Sequence, residues 1–125
     1  MSDNNEILEY FGQCLVEEVY DNALWAPETI VDGTTVNKID QEKYKVLKDL
    51  KEEQREKIKE LIRETTVDTI YRFLEMIEEH EDEFKLVAEK DGESYNLTDL
   101  SEGLSSEIVG DDDNWIIRYS KRNIK

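Results

Sequence analysis

Several residue types on which common protein functions depend are scarce in this 125-residue chain. A single cysteine, Cys14, cannot form a disulfide within the chain, which is typical of a reducing compartment. The single histidine, His80, excludes mechanisms that need two. No apolar run reaches the roughly 20 residues of a membrane span, and the opening residues have neither the basic flank nor the apolar stretch of a signal peptide. We therefore expect a cytoplasmic location.

Basic residues are scarce as well. The chain has 32 acidic and 16 basic side chains, so its formal net charge is −16 at pH 7. Nucleic-acid binding needs clustered Lys and Arg, and an anionic membrane repels an acidic protein, so neither partner is expected. The charge is uneven: residues 1–27 carry six acids and no base, residues 28–66 are nearly balanced, and residues 114–125 carry four bases and no acid.

The apolar content is nevertheless sufficient for a folded domain. Leu, Ile, Val and Phe make up 33 of the 125 residues. This fraction exceeds the roughly 20% below which a high net charge indicates disorder. The length corresponds to one domain, and neither an internal repeat nor a Gly/Ser- or Pro-rich linker divides it. We predict a single acidic domain over residues 1–125.

Apolar spacing predicts a helix over residues 5–24, and Pro27 is expected to end it. Residues 28–39 fit either a short hairpin around Asp32-Gly33 or an ordered loop. The apolar stripe of this first helix repeats every three or four residues and consists of Ile7, Leu8, Phe11, Leu15, Val19 and Ala23.

The strongest pattern predicts a long helix over residues 50–80. Asp40 is expected to cap a helical stretch before it, and Asp49 with Glu52 would form the capping box of the long helix. The β-branched residues at 65–67 could bend it. The apolar residues expected on one face are Ile58, Leu61, Ile62, Thr65, Thr69, Phe73, Met76 and Ile77.

The C-terminal third predicts a small antiparallel sheet. Alternation over residues 84–89 indicates a strand, residues 91–92 a tight Asp-Gly turn, and residues 95–97 a return strand. A capping box at Asp99 and Glu102 predicts a short helix to about residue 108, and alternation after residue 114 indicates a last strand.

These elements together define the predicted fold class. It is α+β: N-terminal helices, including one long helix, packed on a sheet of about three antiparallel strands.

No catalytic motif is present: there is no Gly-rich phosphate loop, no G-x-S-x-G, no H-E-x-x-H and no C-x-x-C. Cys14 and His80 could form a nucleophile–base pair if the fold joined them. The favoured interpretation places Cys14 in the core and His80 at a helix C-terminus among acidic neighbours. We therefore predict a protein that is not an enzyme and holds no cofactor.

Two acidic groups are candidate sites. The run 111–113 could hold Ca²⁺ or Mg²⁺, but an EF-hand loop from Asp111 would place Ile116 at position 6 and Arg122 at position 12, so we favour a solvated turn without metal. Four carboxylates on one side of the long helix could bind a metal or act in acid–base chemistry. We favour a solvated face or a surface for a basic partner.

Trp25, beside Pro27, is the best candidate for an exposed aromatic that contacts a partner. The residues predicted to bind a partner are Asp68, Glu75, Glu78, Asp82, Asp111, Asp112, Asp113 and Trp25.

The overall profile resembles the small acidic immunity proteins of bacterial toxin systems. Its length, charge, mixed α+β pattern and lack of catalytic motifs carry the resemblance. Residues 66–121 are also similar to small uncharacterised bacterial proteins, through TVDTIYRFLEMIEE, NLTDLSEGLSSEI and WIIRYSK. Immunity proteins are intracellular single domains that block a cognate toxin, often a basic nuclease.

The sequence thus predicts a non-enzymatic binding protein that neutralises a basic protein partner, most specifically an immunity protein. A scaffold or accessory subunit of a larger complex is the first alternative, and it predicts an exposed apolar patch. An enzyme or small-molecule binder of unrecognised type is the second, and it predicts a deep apolar pocket. Acidic composition is also found in salt-adapted proteins, and the oligomeric state stays open.

Overall fold

The computed structural model describes residues 2–110 and 112–123, and its first element is a continuous helical rod. The rod consists of α1 (Ser2–Cys14), a π-helical segment (Leu15–Tyr20) and α2 (Asp21–Asp32).

Pro27 lies inside α2, so the prediction that it ends the helix is wrong. Because proline has no N–H, the rod loses only the bond that residue 27 would donate to the Ala23 carbonyl. Gly33 ends the rod instead, with φ at 74°, a left-handed conformation that glycine adopts without strain.

Residues 33–51 form the lysine-rich segment, which carries five lysines against three acids. It contains α3 (Lys38–Lys43) and a 3₁₀ turn (Lys45–Asp49), and neither contains a buried residue. The hairpin considered for residues 28–39 does not form, because residues 29–31 complete α2. Asn37 rather than Asp40 caps α3: its Oδ1 accepts a hydrogen bond from the Asp40 N–H at 3.0 Å.

The predicted long helix is confirmed as α4, which runs over Glu52–Glu79. The Asp49–Glu52 capping box is wrong, because the helix begins after Lys51, whose N–H donates to Gln54 Oε1 at 2.8 Å. Helix α4 runs antiparallel to α2, as two ion pairs show: Lys59 Nζ lies 3.0 Å from Asp32 Oδ2, and Arg63 Nη1 lies 2.9 Å from Glu28 Oε2. Its buried face consists of Ile70, Leu74 and Ile77.

A two-stranded antiparallel hairpin follows α4. It pairs β1 (Val87–Lys90) with β2 (Glu93–Asn96). Asp91 and Gly92 both have positive φ, at 54° and 83°, which is the geometry of the predicted Asp-Gly turn. The hairpin is confirmed, although its strands are shifted by a few residues.

In the described residues after the hairpin, three short helices follow, α5 (Leu97–Leu100), α6 (Ser106–Val109) and α7 (Trp115–Tyr119), and then a 3₁₀ turn (Lys121–Asn123). The single helix predicted from Asp99 is therefore divided in two. The predicted last strand is helical, since Asn114 Oδ1 accepts the Ile117 N–H at 2.9 Å and caps α7. The described residues thus form a mostly helical fold whose sheet has two strands rather than about three.

The core lies where the C-terminal segment, residues 97–123, packs on the rod and on α4. Leu97, Leu104, Ile108 and Trp115 have almost no exposed surface. The Trp115 indole lies against Gly12: a Cβ built at Gly12 would come within 2.4 Å of its Cε2. Gly12 is therefore the notch in α1 that admits the ring. Among the described helices, none is both long and apolar enough to cross a membrane.

Candidate functional site

One flank of α4 is strongly acidic. Glu60, Glu64 and Asp68 line a shallow hollow of about 450 Å³ together with Val109 of α6. Glu60 lies 3.1 Å from Lys57, and Asp68 lies 3.5 Å from Arg72. Glu64 has no ion pair with any described residue.

The acidic surface continues on the other side of α6. Glu102, Glu107 and Asp113 line a second hollow that includes Ser106. Val109 of α6 lines the first hollow, and Ser106 and Glu107 of α6 line the second. We define the acidic band as Glu60, Glu64, Asp68, Glu75 and Glu78 of α4 with Glu102, Glu107, Asp112 and Asp113 around α6.

The structure brings several of the predicted partner-binding residues into this band and assigns others to structural contacts. Asp68 is exposed, whereas Glu75 is half-buried and accepts from the Tyr71 hydroxyl at 3.3 Å. Glu78 accepts a 2.6 Å hydrogen bond from Ser105 Oγ and thereby joins α4 to the C-terminal segment. Asp82 is exposed in the turn after α4.

The predicted acidic turn is only partly described. Asp112 and Asp113 are exposed, and Asp113 lies 3.5 Å from Arg118 Nε. Asp111 lies outside the described residues.

Trp25 is exposed, as predicted, but it lies on α2, whereas the acidic band lies on α4 and around α6. It is 59% exposed on α2 and lines a hollow with Glu17, Lys121 and Arg122. Its surroundings are of mixed charge, so it does not extend the acidic band.

Three carboxylates of the rod, those of Glu9, Asp21 and Glu28, are bound by the C-terminal segment, an arrangement that sequence reasoning missed. We define the C-terminal clamp as residues 118–122. Arg118 and the Tyr119 hydroxyl bind Glu9, and Arg122 pairs with Glu28. Asp21 accepts from Ser120 Oγ at 2.7 Å and from the Lys121 N–H at 2.9 Å. The one sequence signal for this clamp was the opposite charge of the two termini.

The clamp also shifts proton affinities. Burial raises the pKa of Glu9, but hydrogen bonds from Tyr119 and Arg118 outweigh it, so the net pKa of Glu9 is lowered. Burial and the Glu9 carboxylate raise the pKa of Tyr119 to about 12. Glu9 therefore stays ionised and Tyr119 stays protonated over the whole neutral range.

The residues considered for catalysis have different neighbours. His80 Nδ1 lies 2.8 Å from Glu83 Oε1. Cys14 is half-buried, and its side chain raises the pKa of the Tyr10 hydroxyl. In the part of the chain that the structure describes, no three His, Cys, Asp or Glu side chains are placed to hold a metal ion.

A cleft of about 700 Å³ lies along the lysine-rich segment. Its lining includes Lys38, Lys45 and Lys48, but Asp32 and Glu42 also line it. Lys45 Nζ lies 2.7 Å from Glu42 Oε2, so part of its positive charge is already neutralised. The cleft is open, and polar and apolar side chains line it in similar measure.

Five uncharged residues of α4 are also exposed. We define the apolar stripe as Leu61, Thr65, Thr69, Phe73 and Met76. Leu61 is 63% exposed and Phe73 is 49% exposed. The apolar residues expected together on one face of the long helix are in fact divided. These five are exposed, whereas Ile58 and Ile62 are half-buried and Ile77 is buried. Among the described residues of α4, the buried ones are Ile70, Leu74 and Ile77.

Comparison with known proteins identifies one family. The sequence profile described as "Family of unknown function (DUF6547)" matches residues 5–120, which is nearly the whole chain. Neither the curated proteins nor the solved structures include a match.

Proposed function

The chain belongs to the DUF6547 family of unknown function, and we propose that it is a non-enzymatic binding protein that neutralises a basic protein partner. The observation that carries the proposal is the acidic band. Glu64, Glu102 and Asp112 are exposed there and form no ion pair with any other described residue. In the rod, by contrast, Glu9, Asp21 and Glu28 are already paired with the clamp.

Unpaired carboxylates favour a basic partner for an electrostatic reason. An exposed carboxylate without a counter-ion gains attraction when a Lys or Arg side chain approaches, and it loses no existing ion pair. Several such groups in one band raise the association rate of a basic protein and repel acidic ones. The net charge of −16 strengthens the same preference at long range.

The proposal in its most specific form is an immunity protein that inhibits a toxin. A nuclease binds its substrate through clustered cationic side chains that neutralise phosphates. The acidic band offers carboxylates to the same side chains and would compete with the nucleic acid. The partner expected from this chemistry is a basic nuclease encoded beside the chain.

Charge reversal in the band tests the proposal. The band variant carries Glu64→Lys, Glu102→Lys and Asp112→Lys, which changes the net charge from −16 to −10. The control carries Asp49→Lys, Glu53→Lys and Glu93→Lys, which makes the same change at exposed residues outside the band. The probe is the basic protein encoded next to this chain, and its association rate is measured by surface plasmon resonance.

We expect the band variant to associate at least about tenfold more slowly at about 0.1 M salt, and the control to change by less than about threefold. At about 1 M salt the two variants should converge with the native protein, because the Debye length falls to about 3 Å. If both variants lose the same amount of association rate, the partner does not bind at the acidic band. Binding that does not depend on salt would contradict the proposal.

A scaffold or accessory subunit of a larger complex is the second candidate function. The observation that favours it is exposed apolar surface, both on the apolar stripe and on the lysine-rich segment. Val36, Ile39 and Val46 are each more than three-quarters exposed. Apolar contacts persist at high salt, so a partner held in this way would remain bound where a basic partner on the band would dissociate.

A further inference from the structure

A groove of about 560 Å³ lies between α1 and the first strand of the hairpin. Its lining from α1 includes Ile7 and Phe11, which pack in the core, and Tyr10, which is 68% exposed. Its lining from β1 includes Ala88, the smallest side chain of that strand. We call this space the edge groove. No described residue of β2 lines it, so it lies on the β1 side of the hairpin.

The hydrogen-bond pattern of the hairpin determines which backbone groups of β1 point away from β2. Opposed residues of an antiparallel pair exchange hydrogen bonds at every second position. The Leu97 N–H donates to the Leu86 carbonyl at 2.9 Å, so Ala88 also exchanges bonds with β2. The N–H and C=O groups of Val87 and Glu89 therefore point to the open edge of β1. No group in the described part of the chain bonds them there.

We propose that this open edge binds an extended peptide segment of a partner protein, which adds a third strand to the sheet. An extended backbone presents N–H and C=O groups at the same two-residue interval as the edge, so it can bond all four groups. In the antiparallel arrangement, two alternate residues of the segment lie opposite Glu89 and Val87. The residue between them lies opposite Ala88 and on the same face, so its side chain enters the edge groove.

The surroundings of each position define the chemistry of the segment. The middle residue is large and apolar, because Ile7 and Phe11 are apolar and the small Ala88 leaves room beside them. The residue opposite Glu89 is basic, because opposite charges on opposed residues stabilise a strand pair and Glu89 has no ion pair within the described chain. The residue opposite Val87 is β-branched, because Val87 is an exposed apolar strand residue. The segment thus reads basic, apolar, β-branched.

A short capped peptide tests the inference. The probe is acetyl-Thr-Lys-Phe-Ile-Thr-amide, which is titrated into the isotope-labelled chain and followed by nuclear magnetic resonance. We expect a dissociation constant below about 1 mM. At a peptide concentration about ten times that constant, hydrogen exchange of the Val87 and Glu89 N–H groups should slow by about tenfold. The Ala88 N–H is already bonded in the hairpin and should change little.

Methylated peptides distinguish strand addition from other contacts. N-methylation of the peptide's lysine or isoleucine removes a donor to the edge and should weaken binding by at least about fivefold. N-methylation of its phenylalanine, whose N–H points away from β1, should weaken binding by less than about twofold. Equal losses from the three peptides would overturn the added strand. Binding without protection of the Val87 and Glu89 N–H groups would show that the groove takes only an apolar ligand.

Two pairs of variants test the side chains that line the groove. Tyr10→Ala removes one wall and should weaken binding by about fivefold, whereas Tyr44→Ala in the lysine-rich segment should change it by less than about twofold. Glu89→Lys should weaken binding by about threefold or more, and Glu53→Lys, which makes the same charge change on α4, should not. Circular dichroism verifies that each variant is folded. Equal effects within either pair would contradict the position of the peptide.

This inference does not depend on the proposed function, because the edge groove lies on α1 and β1 rather than on the acidic band. The variant with Glu64→Lys, Glu102→Lys and Asp112→Lys should therefore bind the peptide within about threefold of the native chain. Absence of binding at about 1 mM peptide would overturn the inference. Protection of the Val87 and Glu89 N–H groups in the free protein, increasing with protein concentration, would assign the edge to a second copy of the chain instead.

Discussion

The lysine-rich segment and the C-terminal segment are both built from short helical turns, yet they have opposite relations to the core. The C-terminal segment buries Leu97, Leu104, Ile108 and Trp115. Neither helical turn of the lysine-rich segment buries a side chain. Isolated helices of four to six residues are unstable in water, so tertiary contacts must fix them. The C-terminal turns have such contacts in abundance, whereas the lysine-rich turns rely on caps and local hydrogen bonds.

The two segments also differ in how their basic side chains are used. Arg118 and Arg122 are committed to the carboxylates of the rod. Lys38 and Lys48 of the lysine-rich segment form no ion pair with any residue in the described ranges. The C-terminal segment is therefore part of the folded framework, and the lysine-rich segment is available to water and to other molecules.

The largest expected effect separates the two tryptophans. Trp115→Ala should lower the free energy of unfolding by about 3–5 kcal/mol, because a fully buried indole is lost and a cavity remains against Gly12. Trp25→Ala should change it by less than about 0.5 kcal/mol, because Trp25 is exposed. Urea unfolding followed by circular dichroism measures both. Similar losses from the two variants would contradict the position of α7.

A smaller effect is expected from the clamp. Asp21→Ala should cost about 1–3 kcal/mol of unfolding free energy, because the Ser120 hydroxyl and the Lys121 N–H lose a buried acceptor. Asp49→Ala in the lysine-rich segment, where the carboxylate is exposed, should cost less than about 0.5 kcal/mol. The same unfolding measurement compares them, and an equal cost would mean that the clamp does not stabilise the fold.

The smallest effect is a pH dependence. The folded pKa of Tyr119, about 12, lies above its ordinary value of 10.0. The protonated phenol is thus favoured in the folded state, so its contribution to stability is complete below pH 10 and is lost as pH rises through 12. The stability difference between the native chain and Tyr119→Phe should therefore be constant below pH 10 and shrink above it. Urea titrations at a series of pH values measure that difference, and one that does not shrink would contradict the contact with Glu9.

The sequence correctly predicted those elements whose conformation is set by residues close to one another in the chain. The long helix and the Asp-Gly hairpin were found because periodicity and turn chemistry act within a few residues. The strand predicted at residues 115–119 is wrong because it rested on the same kind of local pattern, which fits two structures here. Apolar residues two apart over five positions also fit one helical turn, in which Trp115 is buried and Ile117 exposed. A proline within the rod failed as a stop signal because packing against α4 outweighs the loss of one hydrogen bond.

The functional surfaces were only partly predictable. The apolar residues of α4 are divided between exposed and buried positions, and the sequence alone does not say which of them the chain covers. The acidic flank was recognised, but Glu78 was assigned to a partner although Ser105 occupies it. The clamp joins residues about 100 positions apart, as in the bond between Ser120 and Asp21. A single sequence contains no local signal for such contacts.

The π-helical segment has a consequence for the phase of the rod. Leu8, Gly12, Val16, Tyr20 and Leu24 all point inward, four residues apart. In a regular helix each step of four residues overshoots a full turn by about 40°, so a series of such steps winds around the axis. The wider turn at residues 15–20 absorbs part of that overshoot. It thereby keeps the inward-facing residues of the two halves on the same side of the rod. Deleting one residue there would rotate the N-terminal half of the rod by about 100°. The Gly12 notch would then face away from the Trp115 indole, even with every other side chain unchanged.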